Sequence, residues 1–147
     1  MVYEAPSPGL YLALDKLADA FNPSLFVLLL LLAFIDFRKN GKNFRFAQSL
    51  LAIACCYLLM IVDKHLGIWS AFGADHSTHS TVAMALVAGL ISFARSLQLK
   101  LVSPLLVMLL LYYGVELFQQ YHSVFDIATS VLAVLPFIYL SFVFPKV

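Results

Sequence analysis

Charge is what this chain has least of. Asp, Glu, Lys and Arg make up 12% of its 147 residues, and their signs nearly cancel to a formal net charge of +1. A chain so balanced has no electrostatic footprint for nucleic acid. Cysteine is scarce as well. Cys55 and Cys56 stand side by side in an apolar run, which excludes a disulfide framework and reads as buried thiols. The opening segment MVYEAPSPGLYLALDK lacks the basic start and the cleavage pattern of a secretory signal peptide. Neither an internal repeat nor a low-complexity tract is evident, and no compact metal signature such as HExxH occurs.

What fills the chain is apolar. Hydrophobic residues account for 63% of it, and the mean hydropathy is +0.94. A soluble domain of this length cannot hide that much apolar surface, so residues 1–147 read as a single integral membrane domain. Backbone polar groups in lipid must be satisfied internally, which demands helices. The predicted architecture is all-α: a polytopic bundle of about five transmembrane helices spanning 21–37, 46–62, 79–95, 99–118 and 124–144. Residues 1–20 form an interfacial segment, because GLYLALDKLADA has apolar positions at helical spacing.

The polar residues are partitioned. Arg38, Lys39, Lys42, Arg45, Arg95, Lys100 and Lys146 fall at one end of these spans, which the positive-inside rule makes cytoplasmic. All four histidines, and every acid except Asp36, fall at the other end. The N-terminus is then outside and the C-terminus cytoplasmic.

Two stretches at the outer end carry the chemistry. In Ala74-Asp75-His76-Ser77-Thr78-His79-Ser80-Thr81, the Ser and Thr residues are natural caps that place His79 in the first turn of the third helix. A helix N-terminus offers free N–H groups to an anion such as phosphate. In Glu116-Leu117-Phe118-Gln119-Gln120-Tyr121-His122-Ser123-Val124-Phe125-Asp126, a helix starting near His122 would set Asp126 one turn below it. A carboxylate there can orient the imidazole as a nucleophile or base. Plain helix capping and a polar clamp between helices are the alternatives that need no chemistry.

The run HSTHSTVAMALVAGL resembles the PSGH-plus-helix motif of the type-2 phosphatidic acid phosphatase superfamily, with Ser77 and His79 matching. His122-Ser-Val-Phe-Asp126 resembles the His-x-x-x-Asp end of that superfamily's third motif, and Lys64 corresponds to the lysine of its first. The resemblance covers roughly Leu12 to Leu140. It implies His122 as the phosphoryl-accepting nucleophile, Asp126 as its orienting group, His79 as the acid for the leaving alcohol, and Lys64 and Ser77 as phosphate ligands. Glu116 stands where that superfamily carries an arginine. The chain also resembles the teicoplanin-resistance VanZ-like family, through Asp75 with His79, Glu116 with Gln119, and Asp126 in that order. That likeness accounts for Glu116 and implies a non-enzymatic cell-envelope or lipid-binding protein.

The expected setting is a bacterial inner membrane, with a membrane lipid or lipid-linked phosphate as partner and no cofactor unless a divalent metal is held. A third reading needs no family: His76, His79, Glu116, His122 and Asp126 hold one divalent metal that hydrolyses an ester or peptide. Beyond the site, Tyr112, Tyr113, Tyr121 and Trp69 are expected as interfacial anchors. Gly89 with Ala83, Ala85 and Ala88 gives the third helix a small-residue packing face, and Pro104 and Pro136 are expected to bend their helices.

Overall fold

The computed structural model describes residues 8–143. Within them the chain is all-α. Its helices are α1 (Pro8–Asn40), α2 (Phe44–Leu66), α3 (Thr78–Ser96), α4 (Val102–Phe118) and α5 (Val124–Val143), with a short 3-10 turn, Ser70–Phe72, between α2 and α3. Three of these, Gly9–Asn40, Phe44–Leu66 and Val124–Val143, are long and apolar enough to cross a membrane. Glu4 and the rest of the segment before Pro8, the end of the expected fifth span at Phe144, and Lys146 lie outside the described residues.

The expected interfacial segment and first span are one continuous helix of 33 residues. Pro23 sits inside it. Its ring accepts helical φ and removes only one N–H, the one that would bond the Asp19 carbonyl, while leucine-rich sequence on either side propagates the helix. At 1.5 Å per residue α1 is about 50 Å long, well beyond a hydrocarbon layer of about 30 Å. Its first turns therefore project past the bundle core. α2 likewise runs past Asp63 and Lys64, ending where Gly67 adopts φ 62° and its N–H bonds the Asp63 carbonyl at 2.6 Å. Pro104 falls in the first turn of α4, where its missing N–H has no helical partner to lose.

α3 is the axle, packed against α1, α2, α4 and α5. Small residues make this possible, since Ala83, Ala85 and Ala94 are fully buried. The tightest approach is at Gly89, where an added Cβ would lie 2.6 Å from Ser49 Oγ and 3.0 Å from Leu29 Cδ1. α1, α2 and α3 therefore meet at one glycine. The outer faces are the reverse of a soluble protein's: Leu58, Leu110, Leu111 and Leu132 are each at least 60% exposed. Such a surface suits contact with lipid.

One charge is sealed inside. Asp36, wholly buried on α1, accepts hydrogen bonds at Oδ1 from Asn40 Nδ2 and Ser96 Oγ, both at 2.7 Å. Its Oδ2 accepts from Arg45 Nη1 at 3.0 Å. This cluster ties the basic ends of α1, α2 and α3 together.

Two stability predictions follow from these contacts. Gly89→Ala should lower the melting temperature of the purified protein despite alanine's higher helix propensity, by about 1–3 kcal/mol of overpacking, with partial recovery in Gly89→Ala/Ser49→Ala. Arg45→Gln strands the Asp36 carboxylate and should cost on the order of 3 kcal/mol, whereas Arg45→Gln combined with Asp36→Asn recovers most of it. Melting curves in one detergent decide both.

Candidate functional site

The described buried side-chain polar atoms without hydrogen-bond partners belong to Asn22, His76, Ser77, Ser80, Glu116, Gln119 and His122. All of these residues lie at the end of the bundle formed by the N-terminal part of α1, the C-terminal end of α4, and the N-terminal ends of α3 and α5. Unsatisfied buried groups concentrate at functional sites because the fold alone gains nothing by keeping them. Three of them, Asn22, Glu116 and His122, line one cavity.

That cavity has a volume of about 470 Å³, and its walls include Asp19 and Asn22 of α1, His79 of α3, Glu116 of α4, and Tyr121 and His122 of the α4–α5 turn. Pro23 and Tyr57 complete one side. His79 occupies the first turn of α3 as expected from its caps, and its backbone carbonyl accepts a hydrogen bond from Asn22 Nδ2 at 3.1 Å. Asn22 Oδ1 is buried and unpaired, as is Glu116 Oε2, whose residue is only 1% exposed. The Tyr112 hydroxyl lies near the Glu116 carboxylate one turn away. The Tyr112 ring stacks on Phe21 with centroids 4.1 Å apart, which fixes α1 against α4 beside the cavity.

The α4–α5 turn is set locally. Gln120 adopts φ 59°, the left-handed conformation that ends many helices, and the N–H of Tyr121 bonds back to the Glu116 carbonyl at 3.3 Å. The Tyr121 hydroxyl donates to the Asp15 carboxylate, which latches the start of α1 over the turn. This bond, together with the neighbouring carboxylate charge, pushes the Tyr121 hydroxyl pKa well above the ordinary tyrosine range. His122 precedes the helix, so it is not in an i, i+4 register with Asp126 on α5. Its Nδ1 is buried without a hydrogen bond, and the facing carboxylate is Asp75, with Oδ2 at 3.8 Å.

Asp126 has a different set of partners. Its Oδ2 accepts from the Ser123 N–H at 2.7 Å while Ser123 Oγ accepts from the Asp126 N–H at 3.1 Å, a reciprocal cap that starts α5. Its Oδ1 accepts from the Asp75 N–H at 2.8 Å, which pins the α2–α3 loop to α5. Asp126 does not line the cavity. Ser77 is the N-cap residue of α3, and its N–H donates to Ser130 Oγ at 2.9 Å, yet its own Oγ makes no capping bond. Ser77, Gln119 and Lys64 are absent from the cavity lining; Ser77 and Gln119 are buried, whereas Lys64 is exposed on the last turn of α2.

His76 belongs to the loop core. It packs edge-on to Trp69 with centroids 4.7 Å apart, and its Nε2 is buried and unpaired. Trp69, expected as an interfacial anchor, is instead 7% exposed and donates from its indole to Thr129 Oγ1 at 3.0 Å. The loop folds inward because the Asp63 carboxylate accepts from the Trp69 N–H at 2.8 Å. For the metal reading, no three His, Cys, Asp or Glu residues among the described ones are gathered closely enough to hold one ion. His79, Glu116 and His122 share a cavity without forming a coordination shell, and His76 and Asp126 lie outside its lining.

The wall residues Asp19 and Asn22 escaped sequence reasoning. The signal was there: two polar residues three apart, followed by a proline, on an otherwise apolar helix. Dividing that stretch between an interfacial segment ending at residue 20 and a span starting at residue 21 hid it.

Burial pushes the His76 pKa below the ordinary 6.5, outweighing the opposing pull of Asp63 and Asp75. A histidine held neutral in the fold takes up its proton more readily when unfolded, so its stabilising effect is present above pH 6.5 and is lost as pH falls below that value. Wild-type melting temperature should therefore decline from pH 7.5 to pH 5, and the slope should be shallower in His76→Phe. Parallel slopes would assign the pH dependence elsewhere. No family model matches this chain, and no curated protein or solved structure matches it.

Proposed function

We propose that the protein spans the membrane with all five helices and uses the cavity at its acidic end to bind the head group of a lipid-linked phosphate, such as a polyprenyl or glycerolipid phosphate. One observation carries this reading. In a chain dominated by apolar side chains, two imidazoles and two carboxylates from separate parts of the sequence line one cavity, and unpaired buried polar atoms gather around it. Each such atom costs about 1–3 kcal/mol unless something satisfies it, and a polar head group does so.

The imidazoles of His79 and His122 supply donors for phosphate oxygens, while Glu116 and Asn22 supply acceptors. Acceptors suit a hydroxyl or ammonium next to the phosphate. In the phosphatase-like route, a nitrogen of His122 attacks phosphorus, the lipid alcohol leaves with a proton from His79, and water then opens the phosphohistidine. That route needs cations around the transferring phosphoryl oxygens. The cavity lining has no Lys or Arg among its described residues, and it has Asp19 and Glu116. Binding is therefore the role its electrostatics favour, and this is closer to the VanZ-like expectation than to the phosphatase-like one.

In this reading the basic end of the bundle faces the cytoplasm, and the N-terminus with the cavity faces outward, in the inner membrane of a bacterium. The clustering of Lys42, Arg45 and Arg95 at the end opposite the histidines supports that orientation.

The test uses the purified full chain in detergent with phosphatidic acid, a monoester, and phosphatidylethanolamine, a diester carrying an ammonium. Native mass spectrometry should show both lipids retained, with retention at least tenfold weaker in His79→Ala/His122→Ala. Glu116→Gln should shift preference toward phosphatidic acid by about tenfold, the effect of roughly 1.4 kcal/mol. Equal retention by wild type and the double variant would remove the proposal. Release of inorganic phosphate by wild type that disappears in His122→Ala would replace binding with hydrolysis.

A further inference from the structure

At the end of the bundle away from the histidines, two adjoining cavities of about 790 and 610 Å³ share Arg45, Ser92, Ser96 and Phe142. Together they form one groove bounded by α2, α3 and α5. Lys42 lines one part and Arg95 the other, so three cations face a single space. Asp36, behind Arg45, offsets one of them, which leaves two net positive charges.

Basic residues collect at this end of a membrane protein in any case. The groove is more selective than that tendency. Arg38, Lys39 and Lys100 belong to the same end, yet none of them is in its walls. Its centre is also organised in advance. Arg45 is held by Asp36 through Nη1 at 3.0 Å, and its guanidinium lies over the Phe44 ring at 4.6 Å. A planar guanidinium fixed in this way loses little freedom on meeting a phosphate, and its fork matches phosphate oxygens. Ser92 adds a hydroxyl, and Phe142 adds an apolar wall. The combination is a cationic recess opening beside an apolar face, the chemistry of an anionic head group whose acyl chains stay in lipid.

We propose that this groove binds the anionic phosphodiester head group of a phospholipid from the leaflet at the basic end. The site is separate from the histidine cavity and does not rest on the function proposed for it.

The test presents purified full-length protein in detergent with equal amounts of phosphatidylglycerol and phosphatidylcholine and measures bound lipid by native mass spectrometry. Wild type should prefer phosphatidylglycerol. Lys42→Gln/Arg95→Gln should reduce that preference by roughly fivefold per charge removed, about 25-fold in all. Both residues are exposed and outside the Asp36 hydrogen-bond network, so this variant keeps the fold. Lys16→Gln/Lys64→Gln, the same charge change at the other end, should leave the preference in place, as should His79→Ala/His122→Ala. An undiminished preference in Lys42→Gln/Arg95→Gln overturns the proposal. So does an equal loss in Lys16→Gln/Lys64→Gln, which would reduce the effect to overall charge. Displacement of phosphatidylglycerol from wild type by millimolar inorganic phosphate would make the groove a site for soluble anions, and that too overturns the lipid assignment.

Discussion

Satisfying polar groups inside a bundle that faces lipid is the constraint on which the rest of this structure depends, and the two ends of the molecule answer it in opposite ways. At the basic end a fully buried carboxylate, Asp36, has both oxygens engaged by Asn40, Ser96 and Arg45. The carboxylate is thereby satisfied within the protein, and the cluster acts as a clamp. At the acidic end Glu116 and Gln119 are buried, as is the Oδ1 of half-buried Asn22, with open hydrogen-bonding capacity. Water cannot reach such groups from the hydrocarbon side, so their persistence marks a place where the fold gives up stability.

Both ends depend on α3. A helix surrounded by four others must be thin, and Ala83, Ala85, Gly89 and Ala94 keep it so. Close approach at Gly89 brings α1 and α2 against it. That contact sets the distance between Asp36 on α1 and Arg45 at the start of α2. It also sets where α1 passes the N-terminus of α3, which is how Asn22 comes to bond the His79 carbonyl. The clamp and the cavity are thus two consequences of one packing arrangement.

Several features were legible in the residues alone. Apolar runs closed by Arg38-Lys39, Arg95 and Gln119 define helices within a few residues of their observed ends, because lipid leaves the backbone no other structure. The small-residue face of α3 could be read directly from its spacing. Other features were not legible. Residues 1–20 and the span from 21 read as two elements, yet α1 runs through both as one helix, Pro23 included, packed on α3 and α4. Trp69 reads as an interfacial anchor, yet the Asp63 carboxylate turns its loop inward.

Composition and periodicity are enough to establish an all-helical, lipid-facing chain with its histidines at one end and most of its cations at the other, since burial and solvation act on residue types wherever the chain leads. Which of those polar side chains meet is a matter of three-dimensional packing. Asp126 and Asp75 are both near His122 in space, but backbone N–H groups take up Asp126, and Asp75 is left facing the imidazole. Asp19 and Asn22 become cavity walls only because α1 is continuous and leans on α3 and α4. Hydrogen-bond competition and helix crossing operate between residues roughly 50 to 100 positions apart, and no local pattern encodes their outcome.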